Sequence, residues 1–194
     1  MLHAILLPVL RDYYYSAVVL DAPDPATRHV RLDLGFRVTV PRTFTLLYPG
    51  DDCPVGAKVF AHIYPDTDDQ MAGELVPLYN REAADSRYKY PARLIKVVDG
   101  DTIDARVYLG FNIAIDERFR LMDVSAEEIH GVTEGSPRHR KGLAAKRWLE
   151  ERFTESDSLM TIWSHRQGKW RRWLAQICLR AFPGCLNYKM IQAG

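Results

Sequence analysis

Apolar and polar residues alternate in two stretches of this chain, and the two stretches share one pattern. In the first, the alternation runs through residues 17–20, 30–34, 38–40 and 44–47. In the second, it runs through 93–97, 105–109, 113–115 and 119–122. A period of two reads as strands with one face buried. A Leu-Gly-Phe step follows the second strand in both stretches, as Leu34-Gly35-Phe36 and Leu109-Gly110-Phe111. Each stretch therefore predicts a three-stranded meander, the beginning of a small OB-like barrel.

Laid over one another at a constant offset of 75, residues 15–47 and 90–122 agree at ten of 33 positions without a gap. An ungapped match with both flanks in register predicts an internal repeat. The differences are chemical. Ala26 stands where the second copy has Asp101, and Thr45 where it has Arg120. The first copy thus reads as a barrel without the charged residues of the second. Its later strand is expected at 58–64, and the polar run 79–87 reads as a connection.

Beyond the second meander, a polar loop at 130–137 leads to a helix expected over 138–153. Leu143, Ala144, Trp148, Leu149 and Phe153 form its apolar face. Strands are expected at 159–163 and 173–179, then a turn at Pro183-Gly184 and a short helix from Leu186. The fold class is α+β, mainly β. Residues 1–80 form a degenerate barrel repeat, 81–89 a linker, and 90–194 the second, better equipped domain.

Composition changes this picture little. The 194 residues are 47% hydrophobic and 26% charged, as in ordinary soluble domains. A net charge of +1 gives no global attraction to nucleic acid, so anion binding would depend on local clusters. The plainest is Arg138-His139-Arg140-Lys141, whose plain reading is a solvated loop and whose functional reading is a phosphate contact. The three cysteines, Cys53, Cys178 and Cys185, are too few for a disulfide framework and suit a reducing compartment. Cys178 and Cys185 flank the Pro183-Gly184 turn and read as two half-buried thiols, with a disulfide as the alternative. The apolar start, residues 1–10, lacks a basic leader and a cleavage site, so a first strand is expected rather than a signal peptide. No apolar run approaches the ~20 residues that span a bilayer.

The candidate chemistry lies in the second copy. Asp99-Gly100-Asp101-Thr102 puts carboxylates on a tight turn, and Phe119-Arg120-Leu121 puts an arginine on a following strand. Arg172 lies on a later one, within Lys169-Trp170-Arg171-Arg172-Trp173-Leu174-Ala175. Carboxylates can hold a cation, and guanidinium forks match phosphate oxygens. Such a set suits a phosphodiester, whereas the turn alone would be only a polar turn.

These motifs, over roughly residues 90–194, resemble the thermonuclease (staphylococcal nuclease-like) family. The resemblance implies an OB-fold-like barrel of that type and metal-dependent hydrolysis of DNA or RNA, or both, with little sequence preference. It assigns catalytic roles to Arg120, Glu128 and Arg172, with Glu128 as general base. It assigns Ca²⁺ to Asp101, Ser125 and Ala126, and substrate contacts to Lys169, Trp170, Arg138, Arg140 and Lys141. Trp170 would stack on a base or sugar, or pack on the barrel rim.

The chain departs from the family pattern in two places. Arg120-Leu121-Met122-Asp123-Val124-Ser125-Ala126-Glu127-Glu128 has Ser125 where the family has a second metal aspartate, and Glu127 in place of a proline. A serine hydroxyl binds calcium more weakly than a carboxylate. Asp123 lies two residues earlier, a spacing that shares a face on a strand, and is expected to compensate if the register bends, while Glu127 offers another oxygen. Glycines flanking the second arginine in the family are Arg171 and Trp173 here. These departures motivate an alternative, a catalytically impaired barrel that binds nucleic acid or protein, with the N-terminal barrel as a protein-binding surface. The family usually continues into a further helix, so a truncated C-terminus is expected. The spelling of the turn is similar to phage-encoded members, which implies a bacterial host cytoplasm.

Overall fold

The computed structural model describes residues 15–21, 29–43, 45–46, 55–56, 58–63, 73–77, 88–110, 113–167, 172–179 and 184–193. The chain divides into two compact units, Met1–Tyr88 and Lys89–Gly194. The expected first strand at residues 1–10 lies outside the described residues, as does the linker at 81–89 apart from Tyr88 and Lys89.

In the first unit the described strands are β1 (Tyr15–Val19), β2 (His29–Asp33), β3 (Thr39–Thr43), β4 (Thr45–Leu46), β5 (Lys58–Ile63) and β6 (Gly73–Pro77). They pair in the order β3-β2-β1-β5-β6-β4. The two ends of this sheet, β3 and β4, are separated in sequence by Phe44 alone. Ala17, Val19, Val30, Leu32 and Leu34 are buried beneath it. Sequence alternation predicts β1 to β5 but not β6, a five-residue strand that pairs with β5 and with the two-residue β4.

A tight turn links β2 to β3. Gly35 has φ +81°, a left-handed conformation that favours glycine. A Cβ there would also meet the Tyr88 ring at 2.4 Å. Asp33 holds both partners, accepting from Gly35 N at 2.8 Å and from Tyr88 Oη at 3.0 Å.

The second unit is a closed barrel of β7 (Lys89–Asp99), β8 (Thr102–Gly110), β9 (Ile113–Leu121), β10 (Leu159–Gln167) and β11 (Trp173–Leu179), in the order β10-β11-β9-β8-β7. Helix α1 (Pro137–Glu155) connects β9 to β10, and α2 (Leu186–Ala193) follows β11. The strands expected separately at 113–115 and 119–122 form the single strand β9. The mainly β, OB-fold-like α+β class is what the structure shows. Tyr90, Ile103, Leu109, Phe119, Leu121, Ile162 and Ile177 fill the barrel, and Leu149 and Phe153 of α1 are buried with them. Ser136 caps α1 by accepting from His139 N at 3.2 Å, with Pro137 next in the chain, where its missing N–H costs nothing.

Two charged residues on β8 are paired with two on β9 on the outer face. Arg106 binds Asp116 through two hydrogen bonds of 2.7 and 2.8 Å, and Arg118 binds Asp104 through two of 2.6 and 2.9 Å. Lys96 adds a third charge to Asp104 at 3.5 Å.

Cys178 and Cys185 correct the expectation of free thiols. They face one another in an antiparallel bridge with Cα atoms 4.1 Å apart and are joined by a disulfide. Among the described residues, no helix is long and apolar enough to cross a membrane.

The β2–β3 pairs and the β8–β9 pairs share one register at an offset of 75. Arg31↔Pro41, Leu32↔Val40 and Asp33↔Thr39 become Arg106↔Asp116, Val107↔Ile115 and Tyr108↔Ala114 after a shift of 75. The parallel pair Thr45↔Glu74 corresponds to Arg120↔Leu174, since Thr45 shifted by 75 is Arg120. Gly35 and Gly110 share φ +81°. The β1–β2 and β7–β8 registers differ by two residues, for β7 carries bulges near Leu94 and Val97.

Candidate active site

Four charged side chains meet where β7 turns into β8. Asp99 ends β7 and pairs with Thr102, the first residue of β8, so Gly100 and Asp101 make the turn. Asp99 Oδ1 accepts from Gly100 N at 2.9 Å. Gly100 is required by space. A Cβ there would lie 2.6 Å from Ala126 Cβ and 2.7 Å from Ala145 Cβ, so the loop after β9 and helix α1 both close onto the turn.

Asp101 is only 3% exposed and is held from three sides. Thr102 Oγ1 donates to its Oδ1 at 2.8 Å, Ala126 N donates to Oδ2 at 3.2 Å, and Arg120 Nη2 lies 2.6 Å from Oδ2. The turn is tied to β9 as well, because Leu121 N donates to Asp101 O at 2.9 Å. Arg120 stands opposite Thr102 in the β8–β9 ladder, which brings its guanidinium to the carboxylate.

Arg172 directly precedes β11, which runs parallel to β9 with Leu174 opposite Arg120. Residues two apart on a strand share a face, so the alternation carries Arg172 to the Arg120 side of the sheet. Its Nε is buried and has no hydrogen-bond partner among the described residues. A buried donor without a partner costs about 1–3 kcal/mol, which an anion at this position would offset.

Glu128 reaches the turn along the loop that follows β9. This loop is anchored by Ala126 on Asp101 and by a 2.9 Å ion pair between Glu127 and Arg138. It packs against α1 at Gly142, where a Cβ would come within 2.5 Å of Glu127 O. The Glu128 carboxyl hydrogen-bonds with Asp99, and its pKa is raised. That hydrogen bond is the main cause, followed by desolvation and the charges of Asp99 and Asp101, while Arg120 pulls the other way.

The structure therefore gathers Asp101, Arg120 and Glu128 from three segments of the chain. Ser125 is exposed on the same loop, and Ala126 meets Asp101 through its N–H. Arg138 and Arg140 sit at the start of α1, both exposed, with Arg140 Nη1 donating to Gly135 O at 2.7 Å. Lys141 is exposed beside them. Lys169 and Trp170 lie outside the described residues. β9 ends at Leu121, and Asp123, in the turn that follows, has φ +62°.

Two contacts were not predicted from the sequence. Asp99 faces Glu128, a contact set by the non-periodic path of the 122–130 loop. Asn187, 6% exposed, joins three backbone groups beneath that loop. Its only signal was an amide side chain at the start of an apolar helix.

The donor set suits a hard cation in kind, for the carboxylates of Asp99, Asp101 and Glu128 crowd one turn. Among the described residues, no three His, Cys, Asp or Glu side chains converge as a metal cage. No protein-family model matches the chain, and no curated protein matches it.

Proposed function

We propose that the second unit is a staphylococcal nuclease-like phosphodiesterase acting on DNA, RNA or both. The observation that carries this reading is the junction of Asp101, Arg120 and Glu128 at one turn, with Arg172, whose Nε has no partner among the described residues, directly before the adjacent strand β11. Glu128 is the only one of these carboxyls that is exposed, and its raised pKa makes it a stronger proton acceptor. In this reading it takes the proton of a water that attacks phosphorus. Arg120 and Arg172 neutralise charge on the phosphate oxygens as it grows. Asp101, with the Ser125 hydroxyl and the Ala126 carbonyl, would hold Ca²⁺, which supplies a Lewis acid at the phosphate. Recognition through phosphate carries little sequence information.

The register shared by β2–β3 and β8–β9 at an offset of 75 supports reading the first unit as a degenerate copy of the barrel. Thr45 occupies the place of Arg120 at that offset, so the copy lacks the phosphate arginine.

One observation favours a second reading, a nucleic-acid-binding barrel without catalysis. Asp101 and Arg120 satisfy each other at 2.6 Å, and Ser125 offers no carboxylate beside them. Fluorescence anisotropy with a labelled oligonucleotide, in calcium and in EDTA, separates the two. The nuclease reading expects calcium-dependent shortening of the probe, slowed at least 100-fold in Arg172→Ala, where one transition-state contact is worth about 10²–10³. Tight binding in EDTA with an intact probe in calcium would support the second reading instead.

A further inference from the structure

We infer that Asn187 is a positioning residue, an amide inserted between β9 and β11 that sends the Glu128 loop onto the Asp99–Thr102 turn. The bearing on catalysis rests on the function proposed above, while the positioning itself does not.

β9 and β11 pair in parallel through Phe119, Arg120 and Leu121. Met122 extends the ladder by one bond, donating its N–H to Ala175 O at 2.9 Å. In a continuous parallel ladder, Met122 O would next accept from Ile177 N, the residue two further along the partner strand. That bond is replaced. Ile177 N donates to Asn187 Oδ1 at 2.9 Å, and Asn187 Nδ2 donates to Met122 O, also at 2.9 Å. The second Nδ2 proton goes to Ala175 O at 2.9 Å.

An amide has the donor and acceptor order of a peptide group, so it bridges the gap with no backbone group left unpaired. The insertion holds the two strands apart at the point where the chain must leave β9. The chain then turns at Asp123, with φ +62°, and returns to place Ala126 N on Asp101 and Glu128 beside Asp99. The Cys178–Cys185 disulfide lies two residues before Asn187 and fixes where α2 begins.

Asn187→Asp tests this, since it keeps an acceptor for Ile177 N and removes the Nδ2 donors. Amide exchange by NMR reads the position of the loop, and calcium-dependent cleavage reads its effect on chemistry. Tyr188→Ala, an exposed neighbour on the same helix, is the control. In folded Asn187→Asp the Ala126 amide loses at least tenfold in protection. The value of kcat falls about 100-fold, as for a slight misplacement of a reacting group, while KM changes far less. Tyr188→Ala changes neither. An Ala126 amide as protected as in the wild type would overturn the inference, whatever the activity. If the wild type cleaves nothing, the nuclease reading fails and the exchange result still decides the role of Asn187. Should Asn187→Asp not fold, exchange in wild type at rising denaturant decides it. Ala126, Ile177 and the Asn187 side-chain amide must open in one event, and an Ala126 that opens alone contradicts the inference.

Discussion

Arg120 Nη2 lies 2.6 Å from Asp101 Oδ2, which joins the arginine proposed to hold phosphate to the carboxylate proposed to hold a cation. Asp101 is buried, while the Arg120 side chain keeps 25% of its exposure. The pair is therefore one-sided. The carboxylate depends on its donors, whereas the guanidinium still reaches solvent.

Asp101→Ala should accordingly destabilise the second unit. It leaves Arg120, Thr102 and the Ala126 amide without their common acceptor. Breaking a buried pair costs about 3–5 kcal/mol, and the exposure of Arg120 places this case near the lower figure. Urea unfolding measures it. Glu128→Gln should cost no stability, because it removes a carboxylate crowded against Asp99, although it abolishes cleavage. Equal stability losses in the two variants would contradict this division of roles.

The raised pKa of Glu128 gives a signed pH dependence. The folded protein holds this proton more tightly than the unfolded chain does. The group's contribution to stability is thus complete below the ordinary glutamate range and is lost as pH rises through the folded value. Cleavage runs the other way, for the base acts once deprotonated, so the rate climbs through that same window. Asp99→Asn removes the largest cause of the shift. Its rate–pH profile, at fixed calcium, should have its acid limb displaced to lower pH.

Asp104 provides the opposite sign. Its pKa is lowered, first by its hydrogen bond to Arg118 and then by the charges of Arg118 and Lys96. Its stabilisation is present above the ordinary aspartate range and fades as pH falls through the folded value. The pair is largely exposed, so Asp104→Asn should cost less than about 1 kcal/mol at pH 7 and less still in acid. Thermal unfolding at the two pH values checks this.

Gly142→Ala tests the seating of the loop on α1. Its Cβ would come within 2.5 Å of Glu127 O, which is backbone and cannot rotate away. Overpacking of this kind costs about 1–3 kcal/mol. The loop must shift with Glu128 on it, so cleavage should fall more than thermal stability predicts. Unchanged activity in the folded variant would show that the loop is not seated through this contact.

The sequence makes the strand plan legible because alternation and Leu-Gly-Phe turns are local signals. β7, β8 and β9 could be read in this way, as could α1 from its apolar face. β6 could not, since the five residues Gly73–Pro77 carry too little periodicity. Asp101, Arg120 and Glu128 are legible as residue types in a family-like order, but their meeting depends on a loop with no period. The Asp99–Glu128 contact and the Asn187 insertion depend on that loop and on the end of a parallel ladder. Both are long-range relations that no local pattern encodes. The Cys178–Cys185 bond accompanies an isolated bridge between Cys178 near the end of β11 and Cys185 just before α2, so residues read as thiols in sequence are a disulfide in the fold.

The most direct test is digestion of single-stranded DNA, duplex DNA and RNA by the folded protein, in calcium and in EDTA, beside Glu128→Gln. Cleavage in calcium should disappear in EDTA and in the variant. Intact substrates at every calcium concentration, or cleavage that survives Glu128→Gln, would contradict the proposed function.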